Sequence, residues 1–194
     1  MTAIDDDLLQ RAASGDIEAF EQLVRGYERL IYNITYRMLG NPDDARDASQ
    51  EVLIKIYKNL SKCTNMKAFK SWVYTVANNT CIDEIRKRKN KTADSLDAYF
   101  QTEDGEMEKQ LPADDPLPED LLLRKEKREV LQAAINQLSP EHKALIVLRD
   151  IKGLSYDELA EATETSLGTV KSRLSRARSQ LCKIILKIKE QNDL

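Results

Sequence analysis

Apolar positions recur at helical spacing along most of the 194-residue chain, and strand-type alternation is nearly absent. On a helical wheel, where successive residues lie about 100° apart, the apolar side chains of residues 166–189 fall in one stripe about 100° wide. We expect that stripe to be core: Leu167, Val170, Leu174, Ala177, Leu181, Ile184, Ile185 and Ile188. The pattern predicts an all-α protein.

Boundary residues predict three helices in the first part of the chain. Asp16 follows a glycine and can cap a helix, Gly40 can end it, and Asn41-Pro42 supplies a cap and a first-turn proline for the next. The predicted helices run from Asp16 to Leu39, from Asn41 to about Leu60, and from Asn65 to near Lys89.

Three helix-start signals occur between residues 139 and 166, so the predicted helices there are shorter than those in the first part of the chain. Ser139 and Pro140 begin one helix, and Ser155 with Glu158 forms a capping box at the next, where Leu154 and Leu159 are placed as a hydrophobic staple. Ser166 then caps a long helix after a short break. Two helices joined in this way, the second long and basic, predict a helix-turn-helix.

Charge divides the chain into three blocks. Residues 92–120 hold one basic and ten acidic groups, a net charge of −9, and three of the five prolines. Such a segment is typical of a flexible acidic linker. We therefore predict two small helical domains, at residues 1–91 and 121–194, joined by that linker.

The predicted helix over residues 166–189 carries seven Lys or Arg and no Asp or Glu, although the chain has a net charge of −3. Its outer face mixes cations with small hydroxyl side chains, which let a helix enter the major groove. A solvated cationic face is the plain alternative, but the preceding capped helix and tight turn favour DNA binding. That outer face carries Thr169, Ser172, Ser175, Arg176, Ser179 and Lys183.

A second candidate surface lies on the helix after Asn65. Trp72, Asn79, Asp83 and Arg86 align within about 60° of one another, and a basic run that includes Lys87 follows. Aromatic rings beside amides and cations suit unstacked bases of a single strand. The alternative is that the aromatic and valine side chains are core and the basic run complements the helix dipole. We expect the core interpretation to hold for Phe69 and Val76.

A third surface is acidic. Asp44, Asp47 and Glu51 point away from an apolar face made by Ala45, Ala48, Val52 and Ile56, and Gln50 and Ile54 lie beside them. A solvated face is the ordinary interpretation, but an exposed isoleucine among carboxylates indicates a protein partner.

Little in the sequence suggests catalysis. The single histidine, His142, has no ligand-type neighbours, and three cysteines without CxxC spacing are expected to be reduced thiols, so we expect neither a metal nor a cofactor. No GxSxG, P-loop or HExxH motif occurs, so we expect no enzyme. Neither a membrane-spanning run nor a secretory signal is present, so we expect a cytoplasmic protein without membrane insertion.

Three motifs occur in one order: "DDARDASQEVLIKIY", "FKSWVYTVANNTCIDEIRKRK" and "LSYDELAEATETSLGTVKSRLSRARSQL". With them the chain resembles the extracytoplasmic-function (ECF) group of bacterial RNA polymerase sigma factors, within the sigma-70 family. The likeness covers nearly all of the chain outside the linker. It departs locally at Leu167, where the family often has a proline.

The resemblance implies a sigma-2-like bundle and a sigma-4-like helix-turn-helix domain, without covalent chemistry. It implies three kinds of partner: the β′ and β subunits of core polymerase, promoter DNA in duplex and single-stranded form, and an anti-sigma factor. The implied polymerase contacts are Asp44, Asp47, Gln50 and Glu51. The implied −10 contacts are Trp72, Asn79, Arg86 and Lys87, with the loop from Cys63 to Lys67, and the implied −35 contacts are Thr169, Lys171, Ser172, Arg173 and Arg176.

Two other functions fit part of the sequence. A free-standing helix-turn-helix regulator needs only the second domain and leaves the aromatic surface unexplained. An adaptor that binds only protein would use the helical faces, and its binding would lack the steep salt dependence of DNA contacts.

Overall fold

The computed structural model describes residues 3–93 and 118–192, and the side chains of residues 6–89 and 125–191. Within these ranges the chain forms helices joined by turns and contains no strand, which confirms the all-α prediction. The helices are α1 (Ala3–Ala13), α2 (Ile17–Leu39), α3 (Pro42–Asn59), α4 (Met66–Ala93), α5 (Pro118–Asn136), α6 (Pro140–Leu145), α7 (Tyr156–Ala162) and α8 (Leu167–Asn192).

The predicted helix starts and the predicted end of α2 in the first domain are confirmed, whereas α4 runs to Ala93, beyond its predicted end near Lys89. The Asp16 carboxylate accepts a hydrogen bond from the Ala19 amide at 3.0 Å, and the Asn41 side chain accepts from the amide of Asp43 at 2.8 Å. Gly40 ends α2 with a φ of 77°, a left-handed conformation that favours glycine. A 3₁₀ turn, Leu60–Lys62, follows α3.

The first domain is a bundle in which α2 packs against α1, α3 and α4. Its core is fully buried and includes Ile31, Ile34, Val52, Ile56 and Phe69. Helix α1 had not been predicted, and it joins the bundle by burying Leu9 and Ala12.

The second domain contains α5 to α8. A π-helical segment, Ile146–Ile151, continues α6, and no sequence signal had predicted it. The predicted starts are confirmed: Ser139 caps α6, and Ser155 and Glu158 form the capping box of α7.

The predicted core stripe of α8 holds only in part. Val170, Leu174 and Ala177 are buried, and Leu181 and Ile184 pack at the edge of the core. Ile185 and Ile188 are half-buried. The prediction was wrong for Leu167, whose side chain stays 37% exposed at the first position of the helix, one turn before the buried Val170.

The two domains pack against each other. Helix α4 lies against α6 and α7, and α2 lies against α5, α6 and the π-helical segment, so that one continuous cluster of buried side chains runs through both domains. Most of the predicted linker, residues 94–117, is outside the described residues, while its ends at 92–93 and 118–120 are helical. Among the helices that the structure describes, none has the length and apolarity needed to cross a membrane.

Candidate nucleic-acid interface

Helix α8 presents the predicted −35 surface to solvent. Val170, Leu174 and Ala177 fix one face in the core, so the opposite face turns outward. Its start is capped by Ser166, whose hydroxyl accepts from the Thr169 amide at 3.3 Å and lies 2.8 Å from the Thr169 hydroxyl. Thr169 is half-buried, and the other predicted residues are exposed: Lys171, Ser172, Arg173 and Arg176.

The cations of α8 are not equivalent. Arg178 forms an ion pair with Asp150, with its Nε 3.0 Å from the carboxylate, and that hydrogen bond raises the pKa of the guanidinium. By contrast, neither Arg173 nor Arg176 forms an ion pair with a carboxylate of the described residues. These two guanidinium groups are therefore available to a ligand, whereas Arg178 already has a partner.

Helix α4 brings two of the four predicted −10 residues, Asn79 and Arg86, to one cavity. Phe69, Val73 and Ala77 bury one face of the helix, as expected for Phe69, and Val76 is partly buried against that core. Asn79, Asp83 and Arg86 of α4 line a cavity of about 380 Å³ between the two domains, and Arg173 of α8 lines it as well.

Trp72 does not line that cavity. It is partly buried, and the centre of its ring is 6.5 Å from that of Phe69. Lys87 is exposed and lies 3.9 Å from the Glu84 carboxylate, measured from Nζ to Oε2. In the preceding loop, the Asn65 side chain accepts from the Ala68 amide at 2.9 Å.

Asn78 is a cavity residue that the sequence prediction missed. Its side chain is 2% exposed and donates to the carbonyl of Ala162 in the second domain at 3.3 Å. Its Oδ1 has no hydrogen-bond partner among the described residues. The helical wheel puts Asn78 about 100° from Asn79, so only the packing of the second domain brings it to the cavity.

The acidic surface of α3 is arranged as predicted around its apolar face, because Ala45, Ala48, Val52 and Ile56 are buried. Asp47 and Gln50 are exposed, and Ile54 beside them is 52% exposed. Asp44 forms an ion pair with Arg88, and Glu51 lies 2.8 Å from the ammonium of Lys55, whose hydrogen bond lowers the pKa of Glu51.

Two family models match this chain, one in each domain. Residues 23–91 match Sigma-70 region 2, and residues 128–181 match Sigma-70, region 4. The chain is 37% identical over 176 residues to the ECF RNA polymerase sigma factor SigW of Bacillus subtilis (strain 168), spanning 90% of this chain and 93% of that protein. The chain belongs to the ECF sigma factors. It is an RNA polymerase sigma factor that directs promoter-specific transcription initiation.

Other similar proteins support the same assignment to the ECF sigma factors. It is 32% identical over 181 residues to the ECF RNA polymerase sigma-E factor of Escherichia coli (strain K12), which is 91% of this chain and 92% of that protein. Among solved structures, the sigma factor RpoE in complex with the anti-sigma factor NepR, from Bartonella quintana, has a TM-score of 0.64 and 25% identity, covering 86% of this chain and 96% of that one. The structure of CnrH in complex with the cytosolic domain of CnrY shares the fold, with a TM-score of 0.64 and 23% identity over 93% of this chain and 96% of that one.

Among the side chains that the structure describes, at residues 6–89 and 125–191, no group of three His, Cys, Asp or Glu could hold a metal ion. Burial raises the pKa of Cys81 to about 12, so its thiol stays protonated, and His142 Nδ1 lies 2.8 Å from Gln180 Oε1. The site offers cations, amides and hydroxyl groups, which suit binding.

Proposed function

We propose that this sigma factor binds core polymerase through α3, reads the −35 duplex through α8, and holds the melted −10 strand on α4, without covalent chemistry of its own. The observation that carries the proposal is the order of the two sigma regions in one chain, with a cationic, hydroxyl-bearing face exposed on α8. Its place of action would be the cytoplasm, where bacterial polymerase transcribes.

For the −35 element, the exposed face of α8 supplies two types of contact. Arg173 and Arg176 can donate to guanine edges or phosphates, because no described carboxylate holds them. Lys171 and the hydroxyl groups of Thr169 and Ser172 would position the helix on the phosphate backbone.

For the −10 element, α4 supplies Asn79 and Arg86, which already line one cavity. An unstacked base could accept a hydrogen bond from the side-chain amide of Asn79 and donate one to it. Arg86 and Lys87 would bind the phosphates of the same strand. Trp72 would act at the same face as a stacking surface or as support for Phe69.

For core polymerase, the proposed surface is α3 with Asp44, Asp47, Gln50 and Glu51, against the β′ subunit, with further contacts to β. The exposed Ile54 adds an apolar centre to this acidic surface, as protein interfaces commonly have. An anti-sigma factor is a further proposed partner, supported by the likeness to RpoE in its complex with NepR.

Run-off transcription tests the proposal most simply. Purified core polymerase and this chain are incubated with a library of promoters, and transcripts are compared with those of core polymerase alone. We expect new start sites that share a −10 and a −35 sequence. The absence of new start sites would contradict the proposal, and nanomolar duplex binding by the free chain would support a free-standing regulator instead.

A further inference from the structure

The start of α4 is held by a residue of α1. Met66 is the first residue of α4, and its backbone amide donates to the Asp6 carboxylate at 2.8 Å. Asp6 is half-buried and lies 60 residues earlier in the chain. The first amides of a helix have no acceptor within their own helix, so Asp6 supplies one that the local sequence does not.

Two other amides at the start of α4 have a local acceptor in Asn65. The Asn65 side chain accepts from the Ala68 amide at 2.9 Å, and its carbonyl accepts from the Phe69 amide at 2.9 Å. Asp6 therefore completes a cap that Asn65 makes only in part. A carboxylate at this position also interacts favourably with the positive end of the helix dipole.

Helix α1 is fixed in place, so the Asp6 carboxylate has a defined position. Leu9 of α1 is 1% exposed, and the helix packs against α2 and against the 3₁₀ turn Leu60–Lys62. Near the other end of α1, the Arg11 guanidinium donates to the Asp16 carboxylate from Nη2 at 2.7 Å and from Nε at 3.1 Å. Helix α1 thus connects the start of α2 with the start of α4.

The loop before α4 is anchored at both of its ends. At one end the Cys63 amide donates to the Leu60 carbonyl at 2.9 Å, and at the other end the bond to Asp6 holds the first residue of the helix. Between these anchors Asn65 Nδ2 donates to the Thr64 hydroxyl at 3.2 Å. The loop therefore presents its polar side chains in one arrangement.

These polar side chains suit single-stranded nucleic acid. Thr64, Asn65 and Lys67 are all exposed. A hydroxyl and an amide can bond to the edges of unstacked bases, and an ammonium can bind a phosphate. The Thr64 oxygen is the acceptor in its bond with Asn65, so the hydroxyl hydrogen can go to a base. Because hydrogen bonds weaken steeply with poor geometry, discrimination between bases requires a loop that is held in position.

We propose that Asp6 is a positioning residue for −10 recognition. Without touching DNA, it holds the start of α4 and the loop before it where their side chains discriminate between the bases of the melted strand. This inference rests on the proposed function, because that function assigns the −10 strand to α4. It gives α1 a part in promoter choice.

Amide hydrogen exchange of Met66, measured by NMR on the free chain, tests the bond itself. Asp6→Ala removes the acceptor, Asp6→Asn keeps an oxygen that can accept from the same amide, and Asp7→Ala changes the exposed neighbour as a matched control. We expect exchange about tenfold faster in Asp6→Ala, and within about threefold of the unchanged chain in the other two. Unchanged exchange in Asp6→Ala would overturn the cap.

Run-off transcription with core polymerase tests the effect on promoter choice. Transcript yields are compared between promoters that differ by single bases in the −10 element, and separately between promoters that differ only in the −35 element. Asp6→Ala should lower the −10 preference about fivefold or more and leave the −35 preference unchanged, because only the start of α4 loses its support. Asp6→Asn should retain most of the −10 preference, and Asp7→Ala should retain all of it.

The ratio of yields separates positioning from stability, because a loss of folded protein lowers transcription from all promoters alike. Asp6→Glu provides a second test that keeps the charge: its longer side chain displaces the carboxylate, so we expect an intermediate loss of −10 preference with helicity unchanged by circular dichroism. An unchanged −10 preference in both Asp6→Ala and Asp6→Glu would overturn the role of Asp6. A loss in Asp6→Asn as large as that in Asp6→Ala, or an equal loss in Asp7→Ala, would do the same.

Failure of the proposed function can be told apart from failure of this inference. If the unchanged chain directs no initiation or shows no −10 preference, the proposed function fails, and the role of Asp6 in promoter choice fails with it. Exchange of the Met66 amide still decides in that case whether Asp6 holds the start of α4. If the unchanged chain shows a −10 preference that none of the Asp6 variants alters, the proposed function stands without this role for Asp6.

Discussion

Replacing Arg176 by alanine should weaken −35 recognition and little else. Arg176 is exposed on α8, next in sequence to the buried Ala177 that fixes the helix, and no described carboxylate pairs with it. Removing the Arg176 side chain should therefore leave the free energy of unfolding almost unchanged. A bidentate contact from arginine to a base is worth about 1–3 kcal/mol of discrimination, which corresponds to about a 5- to 140-fold change.

Arg178 offers a matched control two residues away. Its guanidinium is held by Asp150, and an exposed ion pair of this kind contributes at most about 1 kcal/mol to stability. The assay is run-off transcription from paired promoters that differ only in the −35 element. Arg176→Ala should lower the preference for the intact −35 element, and Arg178→Ala should preserve it. An equal loss on both promoters, or the same loss of preference with Arg178→Ala, would refute the role of Arg176.

Three further predictions concern other parts of the chain. Asp47→Arg should weaken binding to core polymerase in a pull-down while Asp43→Arg, on the same helix, leaves it nearly unchanged, and equal binding by both variants would contradict the α3 assignment. Ser155→Ala removes the capping box of α7 and should cost about 1 kcal/mol, a fall in Tm of about 2–4 °C by calorimetry; an unchanged Tm would show that this cap contributes nothing. At pH 8.5, exposed Cys182 should react quickly with iodoacetamide while Cys81, with a pKa raised to about 12, reacts only after unfolding, so rapid alkylation of native Cys81 would contradict its burial.

Local chemistry explains why much of the fold was predictable. Asp16, Asn41, Ser139 and Ser155 each satisfy free backbone amides at a helix start, and such contacts depend only on residues within one turn. The buried positions of α3 follow from spacing on one helix in the same way. Boundaries and buried faces could be read from the sequence for this reason.

Features that depend on distant residues could not be predicted in this way. The bond from Lys143 to the Met38 carbonyl and that from Asn78 to the Ala162 carbonyl join parts of the chain more than 80 residues apart. Asp44 looked like a free carboxylate on α3, but Arg88 of α4 reaches it. Periodicity gives the face on which a side chain lies, but it does not give the element that packs there.

The central claim is that one chain reads two promoter elements at once through α4 and α8, and a spacer series tests it most directly. Run-off transcription with purified core polymerase is measured on one promoter whose −10 and −35 elements are moved apart in steps of one base pair. We predict maximal yield at one spacing and a steep fall within about five base pairs, because half a helical turn puts the −35 element on the opposite side of the duplex. Equal yield at all spacings would contradict simultaneous recognition of the two elements.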